Sequence, residues 1–305
     1  MNNEMYEIMK DKRGFIAALD QSGGSSSKTL KAYGIPETAY NTEEEMFDLI
    51  HEMRKRVFTS KSFTNEHIIG AILFEKTMLS KVNGEFTADY LWNEKKIVSF
   101  LKVDKGLAEQ NNGVKLMKPI PELETELKEA VEKHVFGTKM RSVIYEPNVE
   151  GIKAIVAQQF EFAKTICDAG LVPIIEPEVD INAPEKEKCE EILKAEIIEK
   201  LKTWNKEDKI MFKFTIPTIA NHYLDLYDYE CVVIVRKRRL AFARAAQAVR
   251  IGGFRLDAVW IDIVRIVRVR APQRVLPRRF HARKLGVVPV YLRLFLPVYA
   301  VERLL

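Results

Sequence analysis

The chain has 305 residues, of which 47% are hydrophobic and 30% charged. These proportions are typical of a globular protein and exclude wholesale disorder. Apolar runs of roughly 18 residues or more, as a membrane span needs, do not occur, and the charged N-terminal segment lacks the apolar core of a secretory signal. The three cysteines have no CxxC spacing, which argues against a disulfide framework and favours a reducing cytoplasm.

The net charge of +5 conceals an asymmetry between two parts of the chain. Residues 1–230 carry 31 basic and 40 acidic side chains, a net charge of −9. Residues 231–305 carry 17 basic and 3 acidic side chains, a net charge of +14. Because the basic character belongs to the last 75 residues alone, the two parts are interpreted separately.

In the first part, short apolar runs alternate with longer amphipathic segments. The apolar runs predict buried strands at 15–20, 71–75, 99–104, 139–145, 171–179 and 209–216. A capping box formed by Thr42 and Glu45 predicts the start of one helix. A second helix is predicted over 149–169, ahead of the stop signal Gly170, and a third from Pro184 to about residue 202.

Apolar strands separated by helices predict a parallel sheet that is covered on both faces. Two architectures fit six such units, a doubly wound sheet and a (β/α)8 barrel. Ionisable residues lie in or at the ends of the apolar strands, namely Asp20, Glu75, Lys102, Lys139, Glu176 and Lys213. Because active-site residues from many strands converge at one end of a TIM barrel, and nucleotide-binding glycine motifs are missing, we predict an α/β fold of the (β/α)8 class.

The lysines in strand contexts, Lys102, Lys139 and Lys213, predict a chemistry. A lysine becomes a nucleophile when burial and nearby cations lower its pKa toward neutrality. Clustered lysines would also attract anionic substrates such as phosphates. The alternative for any single lysine is an edge position from which the ammonium group reaches solvent. Taken together, the three indicate Schiff-base chemistry on a phosphorylated carbonyl compound.

Six collinear segments over about residues 5–229 carry a family resemblance: GFIAALDQSGGSSSKTLKAYG, AILFEKTM, FLKVDKGL, FGTKMRS, GLVPIIEPEVDINA and MFKFTIPTIANHY. The chain resembles class I fructose-1,6-bisphosphate aldolase in its shorter bacterial form. The resemblance implies a (β/α)8 barrel that uses no metal and no cofactor. It also implies reversible cleavage of fructose 1,6-bisphosphate to dihydroxyacetone phosphate and glyceraldehyde 3-phosphate.

The resemblance implies roles for single residues. Lys213, in MFKFTIPT, falls on the Schiff-base lysine, and Glu176 falls on the acid–base residue of the family. Asp20 would orient or deprotonate the C4 hydroxyl group. Lys139 would keep Lys213 partly neutral by charge repulsion and would assist the proton transfers. The basic residues expected near the substrate phosphate and hydroxyl groups are Lys102 and Arg141.

Other candidate residues are weaker. The Gly/Ser-rich segment 22–27 could hold an anion with backbone N–H groups, which makes Ser22 a candidate substrate contact; a flexible loop is the favoured alternative. Glu75 and Asp104 match family positions near the barrel mouth and receive no role, and Glu178 is interpreted as structural. The five histidines show no metal-ligand spacing, which disfavours a metal-dependent class II aldolase.

The resemblance ends near Tyr229. The family would continue with strand seven, an SGG-containing loop and an arginine-bearing strand eight, which together bind one substrate phosphate. Residues 231–305 instead contain no Ser, Thr, Asn or Met, and only Cys231–Val235 suggests strand seven. Three interpretations stay open: a frameshift or chimeric join near residue 230, a divergent barrel closure, or an added basic segment that binds nucleic acid or acidic membrane.

We therefore expect a cytoplasmic, metal-independent aldehyde-lyase that acts on a phosphorylated sugar, without a membrane or nucleic-acid partner. Residues 1–230 are predicted to supply barrel strands one to six, and residues 231–305 to replace strands seven and eight. An incompletely closed barrel exposes strand edges, so the chain is expected to be unstable or weakly active. The alternatives are another Schiff-base sugar-phosphate lyase, or an impaired barrel with a nucleic-acid-binding tail.

Overall fold

The computed structural model describes residues 2–22, 24–233, 250–251 and 254–255. The strands are β1 (Phe15–Leu19), β2 (Ile68–Leu73), β3 (Lys81–Val82), β4 (Glu85–Phe86), β5 (Val98–Lys102), β6 (Val114–Lys115), β7 (Gly137–Ile144), β8 (Val172–Val179), β9 (Met211–Phe212), β10 (Arg250–Ile251) and β11 (Phe254–Arg255). The α-helices are α1 (Asn3–Asp11), α2 (Gly24–Ala32), α3 (Glu43–Thr59), α4 (Glu75–Leu79), α5 (Thr87–Lys95), α6 (Leu123–Glu132), α7 (Val149–Asp168) and α8 (Lys186–Thr203). Two 3-10 helices cover Glu37–Ala39 and Leu224–Asp228. None of the described helices is long and apolar enough to cross a membrane.

Six parallel strands of the main sheet have the order β1-β2-β5-β7-β8-β9, and at least one helix separates each of them from the next along the chain. The short strand β6 joins the same sheet by antiparallel pairing with β7. Neighbours in the sheet follow one another in the sequence, with no reversal of strand order. A doubly wound sheet requires such a reversal, so the alternative of a doubly wound fold is wrong. The α/β fold of the TIM-barrel class is confirmed.

The predicted seventh strand is described only at its beginning. Ile210 forms a parallel bridge with Val232. The Ile210 N–H donates to the carbonyl of Cys231, and the Val233 N–H donates to the carbonyl of Ile210, both over 2.8 Å. The chain after β9 therefore starts to pair beside it as a barrel strand would, and residues 234–235 of the predicted strand lie outside the described residues.

Several predicted boundaries are wrong. The second strand starts at Ile68, and Glu75 begins α4 instead of ending a strand, as suits an acidic side chain in the first turn of a helix. The sixth strand is only two residues long. After it, the Lys213 N–H still donates to the carbonyl of Ile175 (3.0 Å), and the Thr215 hydroxyl group donates to the carbonyl of Val179 (2.6 Å).

Helix starts also differ from their predictions. Glycine 24 begins α2, so the flexible-loop interpretation of the Gly/Ser-rich segment is wrong for its last four residues. Helix α8 starts two residues after Pro184. The capping box is confirmed in a shifted form: the Thr42 hydroxyl group accepts from the Glu45 N–H, and the Glu45 carboxylate accepts from the N–H of Asn41.

Alternate residues of the sheet strands fill the barrel interior. These inward residues form one hydrophobic cluster together with two methionines of α1. The cluster includes Met5, Met9, Ile16, Ala18, Ile72, Val98, Phe100, Val172, Ile174 and Met211. Because the two methionines contact the amino-terminal halves of the strands, α1 closes that end of the barrel. The opposite, carboxyl end is left for polar side chains.

Phe100 is fully buried and lies two residues before Lys102 on the same strand. The strands on either side place glycines beside its ring. A Cβ atom on Gly137 would lie 2.1 Å from the carbonyl oxygen of Val172 and 3.0 Å from the ring, and one on Gly70 would lie 3.2 Å from the ring. The two missing side chains therefore make the space that Phe100 fills.

Replacing Phe100 by alanine should lower the free energy of unfolding by about 3–5 kcal/mol, because the buried ring leaves a cavity in a rigid interior. Urea unfolding measures the loss. The matched control is Phe86→Ala, since Phe86 is only half-buried in a two-residue strand and should cost much less. Equal losses for the two variants would contradict the packing role of Phe100.

Candidate active site

Charged side chains lie within or just after the sheet strands, each two residues after an inward apolar or glycine residue. The alternation of side chains along a strand therefore brings them to the same interior. They are Asp20 after Ala18, Lys102 after Phe100, Lys139 after Gly137, Glu176 after Ile174 and Lys213 after Met211. Arg141 and Glu178 follow one step further along β7 and β8, at the rim.

Lys139 lies at the centre of these charged side chains, which form the charged cluster. Its side chain is 6% exposed, and its Nζ lies 3.0 Å from Oδ2 of Asp20 and 3.1 Å from Oε2 of Glu176. Both contacts are ion pairs between buried groups. The ammonium group of Lys139 thus pairs with two carboxylates whose strands, β1 and β8, are not neighbours in the sheet.

Lys213 contacts the other oxygen of the same carboxylate. Its Nζ lies 2.7 Å from Oε1 of Glu176, and both residues are buried. The backbone of Lys213 is still fixed by the sheet, because its N–H donates to the carbonyl of Ile175. Glu176 therefore lies between two lysines and is within proton-transfer distance of Lys213.

The charges in the cluster shift one another's pKa values. Burial alone would raise the pKa of Asp20 and of Glu176, but the charges of Lys139 and Lys213 outweigh burial and hold both below their usual values. Burial alone would lower the pKa of Lys139, but Asp20 and Glu176 raise it above its usual value. The two carboxylates are therefore charged at neutral pH, and so is Lys139.

The remaining predicted residues lie around this centre. Lys102 Nζ is 2.8 Å from Oδ1 of Asp104, whose second oxygen has no hydrogen-bond partner among the described residues. Arg141 Nη1 is 3.0 Å from Oε2 of Glu178, and both side chains are partly exposed. These two cations face the mouth of the barrel from β5 and β7.

Two other candidate residues are Glu75 and Ser22. Glu75 lies on α4, where its carboxylate is 3.1 Å from Nζ of Lys105, and so it stays outside the charged cluster. Ser22 lies between β1 and α2, two residues after Asp20. Across the described part of the chain, no three His, Cys, Asp or Glu side chains form a group that could hold a metal ion.

Sequence reasoning missed two buried polar side chains near the cluster. Gln159 on α7 is fully buried, and its Nε2 donates to the carbonyl of Glu176 over 3.1 Å. Arg54 on α3 is also fully buried and donates to the carbonyl of Gln21, next to Asp20. A signal was available, because both residues lie within the apolar stripes of predicted helices.

A barrel mouth that holds a buried lysine against a shared carboxylate has the groups that a lysine-dependent lyase needs. Comparisons with known proteins narrow this class. The family model described as fructose-bisphosphate aldolase class-I matches residues 1–217. The chain is 60% identical over 223 residues to the protein named fructose-bisphosphate aldolase class 1 of Clostridium acetobutylicum, which is 73% of this chain and 75% of that relative.

A solved structure supports the same fold. It is the ternary co-crystal structure of fructose-bisphosphate aldolase from Plasmodium falciparum with TRAP and a small-molecule inhibitor. The two structures superpose with a TM-score of 0.54 at 22% identity, over 72% of this chain and 67% of that one. The chain belongs to the class I fructose-bisphosphate aldolase family, a family of lyases.

Replacing Lys139 by methionine should lower the free energy of unfolding at pH 7 by about 3–5 kcal/mol, because two buried carboxylates lose their shared cation. The depressed pKa values of Asp20 and Glu176 stabilise the fold above about pH 4 and cease to do so as these groups protonate. Without Lys139, burial raises the pKa of these carboxyl groups, so they protonate in the folded variant as the pH falls and no longer carry an uncompensated charge. The difference between variant and wild type should therefore shrink at pH 4. Urea unfolding at pH 7 and pH 4 measures both values.

The matched control for this prediction is Lys55→Met. Lys55 forms a surface ion pair with Glu52 on α3, and such pairs contribute at most about 1 kcal/mol. A loss for Lys139→Met that is the same at both pH values would show that the carboxylates do not depend on its charge.

Proposed function

We propose that this chain cleaves fructose 1,6-bisphosphate reversibly to dihydroxyacetone phosphate and glyceraldehyde 3-phosphate through a Schiff base on Lys213. One observation carries the proposal: the Lys213 amine lies 2.7 Å from a buried carboxylate at the barrel mouth of a class I aldolase family member.

The first step is formation of the Schiff base. The ammonium group of Lys213 passes a proton to Glu176, and the neutral amine attacks the C2 carbonyl carbon of the open-chain sugar. Glu176 then returns a proton to the C2 hydroxyl group, which leaves as water. The product is a protonated iminium at C2, joined covalently to Lys213.

The second step is cleavage of the C3–C4 bond. Asp20 takes the proton of the C4 hydroxyl group, and the electron pair of the C3–C4 bond moves toward the iminium nitrogen to form an enamine. Glyceraldehyde 3-phosphate leaves. Protonation of the enamine at C3 and hydrolysis of the iminium by water then release dihydroxyacetone phosphate, so the water lost in the first step is regained.

Lys139 supports both steps in this proposal. Its charge stabilises the ionised forms of Asp20 and Glu176, the two groups that accept protons. The same charge disfavours a second ammonium group on Lys213, which contacts the same carboxylate, and so favours the neutral amine. One residue thereby favours a charged base and an uncharged nucleophile together.

Phosphate recognition is assigned to the rim of the site. Arg141 is partly exposed beside the cluster and can present its planar donor groups to a phosphate, and Lys102 offers a compact charge. Ser22 lies just after Asp20, where a substrate bound to Lys213 would extend toward β1. We propose these three residues as substrate contacts and a phosphorylated sugar as the partner.

We also propose that residues 1–230 form an aldolase-like barrel region with strands one to six, and that residues 231–305 are an atypical arginine-rich segment in place of strands seven and eight. We further propose that the enzyme works in the cytoplasm. The match to the family model lies within the barrel region. The three cysteines Cys167, Cys189 and Cys231 are unpaired, as thiols are in a reducing compartment.

Borohydride trapping tests the nucleophile. Dihydroxyacetone phosphate and borohydride should leave a reduced adduct on the peptide that contains Lys213, because the iminium is reduced to a stable secondary amine. The adduct should be lost in Lys213→Met and kept in Lys209→Met, the control four residues earlier. Peptide mass spectrometry identifies the site, and an adduct elsewhere, or none on folded protein, would overturn the assignment.

Replacing Glu176 by glutamine should lower kcat for fructose 1,6-bisphosphate by about 10²–10⁴-fold with little change in KM, because glutamine accepts a hydrogen bond but cannot carry the proton. Steady-state cleavage assays give both constants. Glu178→Gln is the matched control, since Glu178 contacts Arg141 at the rim and should alter KM more than kcat. Similar kcat values for the two variants would refute the acid–base role of Glu176.

A further inference from the structure

The arginine of α3 is unusual in its burial. Arg54 has no exposed surface, although arginines are seldom fully buried without a carboxylate partner. Its donors go to neutral oxygens: Nη1 to the Thr77 hydroxyl group (2.6 Å), and Nη2 to the Gln21 carbonyl (2.7 Å) and the Gln21 side-chain oxygen (3.4 Å). Its Nε has no hydrogen-bond partner among the described residues.

Such an arrangement costs folding free energy. Burial lowers the pKa of Arg54 to about 10, and the charge of Asp20 opposes this shift only in part. Hydrophobic residues of similar volume often replace buried charges without loss of stability. Fold stability alone therefore does not account for an arginine at this position. Its burial indicates a role in fixing the groups that its N–H donors bind.

Arg54 holds the backbone on the far side of Asp20. On one side, β1 is fixed by its pairing with β2, where Leu19 lies opposite Leu73. On the other side, the Gln21 carbonyl and side chain are both bound by Arg54, and the Gln21 amide also donates to the Ala18 carbonyl over 3.3 Å. Asp20 thus lies between a residue fixed by the sheet and a residue fixed by Arg54.

We infer that Arg54 is a positioning residue, which holds the Asp20–Gln21 peptide so that the Asp20 carboxylate faces Lys139 and the C4 hydroxyl group of the substrate. This inference rests on the proposed function, because it uses the role given to Asp20 in C3–C4 cleavage. Arg54 itself lies behind the strand end, on α3 and against Thr77 of α4, and does not contact the reacting atoms.

The two steps of the proposed reaction depend on Arg54 to different extents. Schiff-base formation with dihydroxyacetone phosphate needs Lys213, which follows β9, and Glu176, which lies on β8. Both are away from Arg54. Cleavage of fructose 1,6-bisphosphate needs Asp20 in addition. Loss of Arg54 should therefore impair cleavage and leave adduct formation intact, whereas a purely structural defect would impair both.

The test compares Arg54→Met with wild type in the full chain. We expect kcat for cleavage to fall about 10²-fold with little change in KM, as for a group misplaced by about 1 Å. The borohydride adduct with dihydroxyacetone phosphate and the thermal midpoint should stay close to those of wild type. Arg54→Lys should recover part of kcat, because it keeps the charge and can still donate to the Gln21 carbonyl.

The matched control is Arg56→Met, the same substitution two residues along α3 at an exposed position, which should leave both readouts unchanged. Should Arg54→Met fail to fold, Arg54→Lys provides the same comparison, with a smaller loss that is again confined to cleavage. Normal cleavage by the Arg54 variants, or a parallel loss of cleavage, adduct and thermal midpoint, would overturn the inference. Absence of the adduct in wild type would overturn the proposed function itself.

Discussion

The ammonium group of Lys139 pairs with two carboxylates whose strands lie far apart in the sheet, and this contact constrains the whole structure. Asp20 follows β1 and Glu176 lies on β8, four strand positions away in the sheet. In a flat sheet, strands about 4.8 Å apart would separate them by about 19 Å. The Nζ of Lys139 nevertheless lies within 3.1 Å of both carboxylates, so the sheet must curl for the contact to exist. The buried charges, in turn, stabilise only the curled form.

The same contact links architecture to chemistry. Glu176 pairs with Lys139 through one oxygen and with Lys213 through the other, so the carboxylate that links the strands also lies beside the proposed nucleophile. Gln159 fixes its backbone from α7, and Arg54 fixes the peptide after Asp20 from α3. The helices therefore hold in place the side chains that the sheet brings together.

The sequence pattern predicted the strands and the charged residues at their ends, because alternation along apolar runs is local. It did not predict which charges pair, since Lys139 and Asp20 meet only through the curvature of the sheet. Arg54 was overlooked although it lies four residues after Ile50 and four before Phe58, inside the apolar stripe of α3. The sixth strand was predicted too long because its length depends on pairing with its neighbour, and β8 pairs with β9 only at Met211 and Phe212.

The filled interior beneath the cluster has a consequence for the order of events. Phe100, Ile174 and Met211 occupy the barrel below the charged residues, and Met5 and Met9 of α1 pack against its other end. The described part of the barrel is therefore filled beneath the charged residues, and the proposed substrate would enter and leave at the mouth. With the proposed Schiff base on Lys213, the fragment that is not bonded to the lysine would have to depart before water reaches and releases the one that is. Release of the two products would then be sequential, and the reverse condensation would load the ketone fragment first.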